Sequence, residues 1–443
     1  MLGIKFIREH KEAVKKAIVT KGVNLNLDDL LAKDDRKREL ITLVENYRRE
    51  RNVSSGVLKN LEGNQEEREA AIERGRDLKR LIAEVEPELA QVQREIDVLM
   101  AKVPNITSPD TPEGKGDEDN VETFRSCAIP EFGFTPKDHI QLGTELGILD
   151  LERGTKVSGY RGYYIRNEGV SLLLGFMMYA MNKMILKGYS PMLVPTIVKG
   201  FALFGSGYFK GTEYDPEVDE IYQVSTPDKE SDGKFSKEKK FLVGTSEPSL
   251  LAYFAGDVLK EEQLPIRISG FSQCYRSEIG SYGKDTRGMY RVHEFMKVEQ
   301  VVLMRADVEE SARIQDEMVG ISKEMHEELG IPYRQLQICT QAMGIGKYRM
   351  FDIEAWMPGL NRWGETGSAS NFLDWQARRL NVKYETLAGK REHVFMLNNT
   401  ALPSPRIFIA LLENHQQEDG SVVVPEAIKP FMPVKYDVIR RKS

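Results

Sequence analysis

Tyr275-Arg276-Ser277-Glu278, then Gly280-Ser281-Tyr282-Gly283-Lys284-Asp285-Thr286-Arg287-Gly288, then Arg291-Val292-His293-Glu294-Phe295-Met296-Lys297-Val298-Glu299-Gln300 is the stretch on which the fold turns. Its two flanks alternate in the manner of strands, and the Gly-rich segment between them is a turn signal. The stretch predicts a hairpin with Lys284 and Arg287 on its loop, beside Arg and Glu side chains fixed on the strands. Such a layout suits a polyanion.

Strand-like runs recur around it: 241–244, 266–269, 301–303, 336–339, 351–356 and 394–397. A helical pattern spans Ala306 to Leu329, and another, Gly169 to Leu186, places Leu173, Phe176, Met177, Ala180 and Met184 on one face. The order of elements predicts an α+β fold on a mainly antiparallel sheet flanked by helices, because regular β-α-β alternation is missing. No Gly-rich phosphate loop follows a strand, so a nucleotide would be held by side chains on the sheet. The segment Gly188-Tyr189-Ser190-Pro191-Met192-Leu193-Val194-Pro195 reads as a strand whose prolines confine it to an edge or an interface. Residues 225–240 are almost wholly polar and read as a mobile surface loop.

The first hundred residues have a different character. Leu78, Ile82, Val85, Leu89, Val92, Ile96 and Leu99 alternate spacings of four and three, the seam of a coiled coil. Its partner is the run from Lys33 to Leu61, with Leu40, Val44, Tyr47, Val57, Leu58 and Leu61 as a weaker seam and Gly63-Asn64 as the reversal. An antiparallel helical arm is predicted. Residues 36–59 carry seven basic groups (Arg36, Lys37, Arg38, Arg48, Arg49, Arg51, Lys59) against three acidic ones, and 78–99 reverses the balance. From charge alone a solvated coiled-coil surface is the favoured reading, and a phosphate-tracking face the functional alternative. Pro87 predicts a kink or break, since a proline inside a helix costs ~3 kcal/mol or more. Turn formers from Val103 to Gly114 mark a linker, giving an arm over 1–102, a linker over 103–123 and a larger α+β unit over 124–443.

Composition bounds the remainder. The chain has 443 residues, 41% hydrophobic and 29% charged, which is ordinary for a folded protein of two or three domains. No window approaches the roughly 20 apolar residues of a membrane span, and Met1-Leu2-Gly3-Ile4-Lys5 lacks the apolar run of a signal peptide, so neither a membrane nor secretion is expected. The expected compartment is the cytoplasm. Cys127, Cys274 and Cys339 are too scattered for a disulfide framework or a zinc site and read as reduced core thiols. The net charge of −6 requires any basic surface to be local.

Arg276-Ser277-Glu278 followed by Arg291-Val292-His293-Glu294-Phe295 and Lys297-Val298-Glu299-Gln300 resembles motif 2 of the class II aminoacyl-tRNA synthetases, in its seryl-specific form. Gly188 to Pro195 resembles motif 1. Thr245-Ser246-Glu247 is similar to the Thr-x-Glu loop, and Arg406 to Met432, with Leu412-Glu413-Asn414-His415-Gln416, is similar to motif 3. Pro104-Asn105, Phe134 to His139 and Lys156-Val157-Ser158-Gly159 extend the resemblance over nearly the whole chain.

The resemblance implies activation of L-serine with Mg-ATP to seryl-adenylate and transfer of the seryl group to the 3′ end of serine tRNA, or of selenocysteine tRNA where present. DNA is not an expected partner, and motif 1 implies a homodimer. Arg276 and Arg406 would be the catalytic residues: Arg276 would bridge the serine carboxylate and the α-phosphate, and Arg406 would hold the γ-phosphate. ATP would also meet Glu278 at the adenine amino group and Phe295 against the ring, while Glu365 and Ser368 would present oxygens to Mg²⁺. Serine would meet Thr245, Glu247, Arg276, Glu299, Asn398 and Thr400. Lys284 and Arg287 become candidates for meeting the tRNA end.

Singly, these residues have plainer readings. Glu278, Glu299 and Glu365 read as ion-paired carboxylates, and Phe295 as core. His293 has no proton to move in this chemistry and reads as a packing or hydrogen-bonding residue. Met177, Met178, Met181 and Met184 read as adaptable core. Asp352 and Glu354 form a carboxylate pair without an inherited duty. Two other functions compete: activation of a small amino acid for a carrier protein, and an inactive tRNA- or partner-binding protein. Against the family pattern, Thr340-Gln341-Ala342-Met343-Gly344 replaces Thr-Gly-Asp-Met-Gly, and Gly367, Asn399, Ala401, Pro403 and Pro405 are unusual. The prolines fit only within a first helical turn.

Overall fold

A computed structural model of the chain describes residues 1–60, 65–279 and 287–441, and the backbone alone for 57–60. Short helices at Ile4–Glu9 and Lys11–Thr20 precede the arm, which is built from α1 (Leu27–Asn60) and α2 (Gln65–Lys102). All seven seam residues of α2 are buried or half-buried, whereas Lys79, Arg80, Glu84 and Glu86 are exposed. On α1, Leu40 and Val44 are buried beneath them. Ion pairs Lys33–Glu95, Arg36–Glu88, Arg48–Glu86 and Arg74–Glu50 tie the helices together, rising in number on one and falling on the other as an antiparallel pair must. The expected reversal at Gly63-Asn64, with Leu61, lies outside the described residues.

α2 is unbroken through Pro87, contrary to a break there. Pro87 and Ala83 are both exposed, so the carbonyl released by the missing N–H faces water while the opposite face stays packed.

The chain then enters a strap. From Val103 to Asn120 its backbone follows the loop 338–348: Asn105 N donates to Ile345 O at 2.8 Å, Ser108 N to Tyr348 O at 2.8 Å, and Thr340 N to Pro112 O at 3.0 Å. Gln341, an unusual residue, lies in this seam, its N donating to Gly114 O at 3.2 Å.

Among the described residues the main sheet has eight strands: β1 (Val121–Arg125), β2 (Ser190–Leu193), β3 (Ile266–Tyr275), β4 (Glu294–Met304), β5 (Tyr333–Gln337), β6 (Arg349–Met357), β7 (Arg362–Asn371) and β8 (Phe395–Pro403). Their order is β1-β5-β6-β7-β8-β4-β3-β2. Every neighbouring pair is antiparallel except β2 with β3. The proline-bounded β2 is an edge, as its sequence requires. Strand β7 escaped the sequence reading because Gly364, Thr366, Gly367, Ser368 and Ser370 give it no apolar alternation.

Helix α3 (Glu168–Leu186) packs Leu172, Phe176, Met177, Ala180 and Met184 into the largest core cluster, against Val298 and Val302 of β4. With 19 residues it is long and apolar enough, by length and composition, to cross a membrane, which corrects the expectation that no stretch is; most of it is buried in the protein. Of its methionines only Met178 is exposed. Cys274 and Cys339 are buried, but Cys127 is exposed, against expectation, just beyond edge strand β1. Residues 225–240 have a bridge between Lys229 and Phe235 at a mostly exposed surface.

Candidate active site

The two strands pair as expected, with Phe295 and Lys297 to Gln300 on β4, but the other motif residues lie beyond the strands. β3 ends at Tyr275 and β4 begins at Glu294, in register with each other. Arg276 to Glu278 and Arg291 to His293 therefore form the approach to the loop. His293 closes this neck: Arg276 N donates to His293 O at 3.0 Å, and His293 Nδ1 donates to Arg276 O at 2.9 Å. Glu278 has a positive φ of 54°, a conformation seldom adopted by residues other than glycine. On the far side of the loop Gly288, φ 74°, packs so closely on His139 that a Cβ would lie 2.2 Å from the ring. The ring is fixed in turn by Glu413 Oε1, 3.0 Å from Nδ1, and by Met289 N at 3.2 Å from Nε2. Residues 280–286, including Lys284, lie outside the described residues; Arg287 is exposed.

Two bulges shape the cavity floor. Opposite β6, Thr366 is an extra residue in β7, and Glu365 and Ser368, three apart, both line the cavity. In β8 Ala401 is the extra residue opposite β4, which brings Thr400 directly across from Glu299. Asn399 faces the other way and holds β8 to the helix Val308–Glu328, donating to Met318 O at 3.0 Å and Ser322 Oγ at 2.9 Å. Gly367 leaves room for the Thr400 carbonyl, which a Cβ would approach to 3.3 Å. Pro403 caps the helix Ser404–Asn414 and Pro405 sits in its first turn, so both prolines are accommodated.

A cavity of about 530 Å³ lies over this floor and adjoins a narrow cleft of about 50 Å³. Arg276, Lys297, Glu365 and Thr400 border both. Glu247, Glu299, Ser368 and Asn398 face the large cavity, and Glu278, Phe295 and Arg406 the cleft. Thr245 stands behind Glu299. The residues expected to meet ATP, serine and Mg²⁺ thus converge, whereas Arg287, expected to meet the tRNA end, lines neither space.

In the large cavity the carboxylates are held by hydrogen bonds. Glu299 Oε2 takes Lys297 Nζ at 2.6 Å, Thr245 Oγ1 at 3.2 Å and Thr400 Oγ1 at 3.4 Å, so that among the described residues the bonds of this carboxylate gather on one oxygen and leave Oε1 open. Glu247 Oε1 accepts from Gln376 Nε2 and Asn398 Nδ2, both at 2.7 Å. Burial, reinforced by Glu299, pushes the Glu247 carboxyl up to about 7. Lys297, Gln376 and Lys347, also of this site, were missed by sequence reading: a lysine two residues before a carboxylate on a strand was the signal for the first, and the others come from distant segments.

In the cleft, ion pairs dominate. Glu278 Oε2 lies 3.2 Å from Arg291 Nη1 and 3.5 Å from Arg161 Nη1. Arg406 Nη1 lies 3.2 Å from Glu365 Oε2 and donates to Glu365 O at 2.8 Å, with its guanidinium 4.6 Å from the Tyr290 ring centroid. Burial works against the Glu365 charge, but Arg406 and Arg276 outweigh it and leave the carboxyl below its usual range. The Arg276 guanidinium lies 5.5 Å from the Phe295 ring centroid and donates from Nε to Gly244 O at 3.3 Å. Asp352, paired in register with Ser368, has a buried Oδ1 without a hydrogen-bond partner.

Such a site, with arginines along a cleft and a small pocket lined by fixed carboxylates, can hold a polyphosphate at one end and a small ammonium-bearing hydroxylated molecule at the other. Comparison with known proteins agrees. Residues 1–107 match the seryl-tRNA synthetase N-terminal domain, and residues 222–415 the tRNA synthetase class II core domain (G, H, P, S and T). The serine–tRNA ligase of Treponema denticola is 39% identical over 97% of this chain and 98% of its own length. That of Deinococcus radiodurans is 39% identical over 98% and 97%. The structure of seryl-tRNA synthetase from Pyrococcus horikoshii complexed with ATP superposes with a TM-score of 0.87 at 33% identity, covering 100% of both chains. The chain belongs to the seryl-tRNA synthetase family of class II aminoacyl-tRNA synthetases.

Proposed function

We propose that this chain is a serine–tRNA ligase: it joins L-serine to ATP as seryl-adenylate, releasing pyrophosphate, and passes the seryl group to the terminal ribose of serine tRNA, or of selenocysteine tRNA where present. The observation that carries this reading is Arg276 at the junction of the two spaces. A serine carboxylate oxygen bonds to the α-phosphorus as the bond to the bridging oxygen breaks, and the guanidinium offsets the repulsion between these anions and the charge that builds between them. Positioning does the rest, with no general base. Glu247 pairs with the ammonium, and the open Oε1 of Glu299 accepts the hydroxyl. Alanine is rejected because that acceptor would be left unmatched, and threonine by shape.

Glu278 and Phe295 take the adenine end and Arg406 the γ-phosphate. Mg²⁺, when bound, neutralises triphosphate charge; Glu365 and Ser368 would hold it, and the unpartnered Asp352 Oδ1 beside Ser368 makes this a fitting set of hard oxygen donors. The assignment of 1–102 to tRNA binding, 103–123 to a linker and 124–443 to catalysis follows the same reading, as does a cytoplasmic location. Leu186 and Leu193, 75% and 82% exposed beside edge strand β2, support a second copy of the chain as partner.

Pyrophosphate exchange with serine, threonine, alanine and glycine tests the proposal: serine alone should support it, and its failure at saturating ATP overturns the reading. On the arm, Lys37, Arg49 and Arg51 lie outside the ion pairs between the helices. Replacing all three by Glu should raise the KM for tRNA by about tenfold or more and leave exchange unchanged.

A further inference from the structure

Lys347 ends the loop that precedes β6 and borders the 530 Å³ cavity. Unlike Lys297, 2.6 Å from Glu299, it forms no ion pair among the described residues; its Nζ is 3.2 Å from the Met350 thioether sulfur. A sulfur is a weak acceptor, so this half-buried ammonium at the cavity wall keeps donor capacity for a ligand.

The backbone that presents it is fixed from outside the catalytic sheet. Lys21 Nζ donates to Lys347 O at 2.6 Å and to Ile345 O at 3.1 Å, and Asn105 Nδ2 donates to Gly346 O at 3.1 Å. Three consecutive carbonyls are therefore tied to the arm's root and the strap. A lysine on so constrained a loop is directed rather than free to swing toward solvent.

The charged groups around it are Asp352 of β6, Glu365 of β7, Glu247 at the start of helix Glu247–Ala252, and Arg276 after β3. Lys21 also acts on it from behind. The ammonium thus lies among the groups that meet where the amino acid and the α-phosphate join. Burial lowers its pKa, the three carboxylates oppose that, and a bound anion would complete what they begin.

We propose that Lys347 is a second substrate-contacting cation, acting with Arg276 on the anion formed where the serine carboxylate meets the α-phosphate. This deepens the functional reading above and rests on it. Charge stabilisation is the whole contribution: no proton moves and no bond to the lysine forms.

The test compares wild type, Lys347→Met and Lys347→Arg in serine-dependent pyrophosphate exchange, with serinol, which keeps the ammonium and hydroxyl of serine but lacks the carboxylate, as competitive inhibitor. In Lys347→Met, kcat should fall on the order of 10²-fold while the serinol inhibition constant stays within twofold. Lys347→Arg should recover at least a tenth of wild-type kcat. Unchanged kcat in Lys347→Met overturns the inference. So does serinol binding that weakens as much as turnover, since that reports a collapsed pocket, and a thermal unfolding midpoint for each variant separates collapse from misfolding. A wild-type chain without serine-dependent exchange overturns the functional reading itself.

Discussion

The two ends of the cavity that the proposed function assigns to serine and to ATP keep their charges in order by different means. At the serine end, Glu247 and Glu299 are each held by two or three donors, and one oxygen of Glu299 is left open. At the ATP end, Glu278 and Glu365 are matched with Arg291, Arg161 and Arg406. A small substrate with one hydroxyl must find its partners preformed, because it brings too little binding energy to rearrange them. A polyphosphate brings several charges, so arginines already balanced by carboxylates can exchange one anion for another with little cost in unpaired charge. The serine end is set for selection; the ATP end is set for exchange.

Arg276 serves both ends, and its loss should be the most damaging. Arg276→Gln should lower kcat/KM of pyrophosphate exchange on the order of 10³-fold, with kcat affected more than either KM. A change confined to one KM would break the idea of a shared residue. Next in size, Glu299→Gln should lower kcat/KM for serine on the order of 10²-fold while narrowing the preference over alanine. An unaltered preference would show that selection lies elsewhere.

The pH dependence of serine binding sharpens the contrast. With the Glu247 carboxyl pushed up to about 7, the carboxylate that pairs with the serine ammonium is scarce below that value. The KM for serine should fall about tenfold per pH unit as the pH rises toward 7 and level off above it, and Glu247→Gln should remove the slope. Because folding raises this pKa from 4.5, the stability contributed by the Glu247 proton is complete below 4.5 and lost as the pH climbs through 7. The smallest effect belongs to the ATP end: Arg161→Leu, which removes one of the partners of Glu278, should raise the KM for ATP about threefold and leave that for serine within twofold. Equal changes in both would erase the distinction.

Much of this was legible in the chain, for identifiable reasons. The arm's seam could be read because a two-helix pair repeats one local contact, and Leu78, Ile82 and Ile96 occupy its most buried layers. That the proposed site residues lie around one cavity could be anticipated because motif order constrains them jointly. Strand β7 could not be read, since its small polar residues are dictated by bulges and neighbours rather than by periodicity. Lys347 and Gln376 reach the cavity only because the topology folds distant segments onto it, and a single side chain among ordinary neighbours gives no local sign of that. Of the kink or break read from Pro87, the break does not occur, because a proline's cost depends on whether the freed carbonyl meets water.

The hydrogen bonds of the strap bear on how this protein can be recombined. Lys102 is the obvious place to join an arm from one relative to a catalytic unit from another. Yet Lys21, which precedes the arm, is bonded to Ile345 and Lys347 at the rim of the cavity, beside the bonds that Asn105 of the strap makes there. A crossover placed there keeps strap and loop from one parent but sets a foreign Lys21 against the carbonyls of Ile345 and Lys347. Chimeras joined farther out, past Leu40 on one helix and before Leu78 on the other, would exchange the distal arm and leave that seam native on both sides.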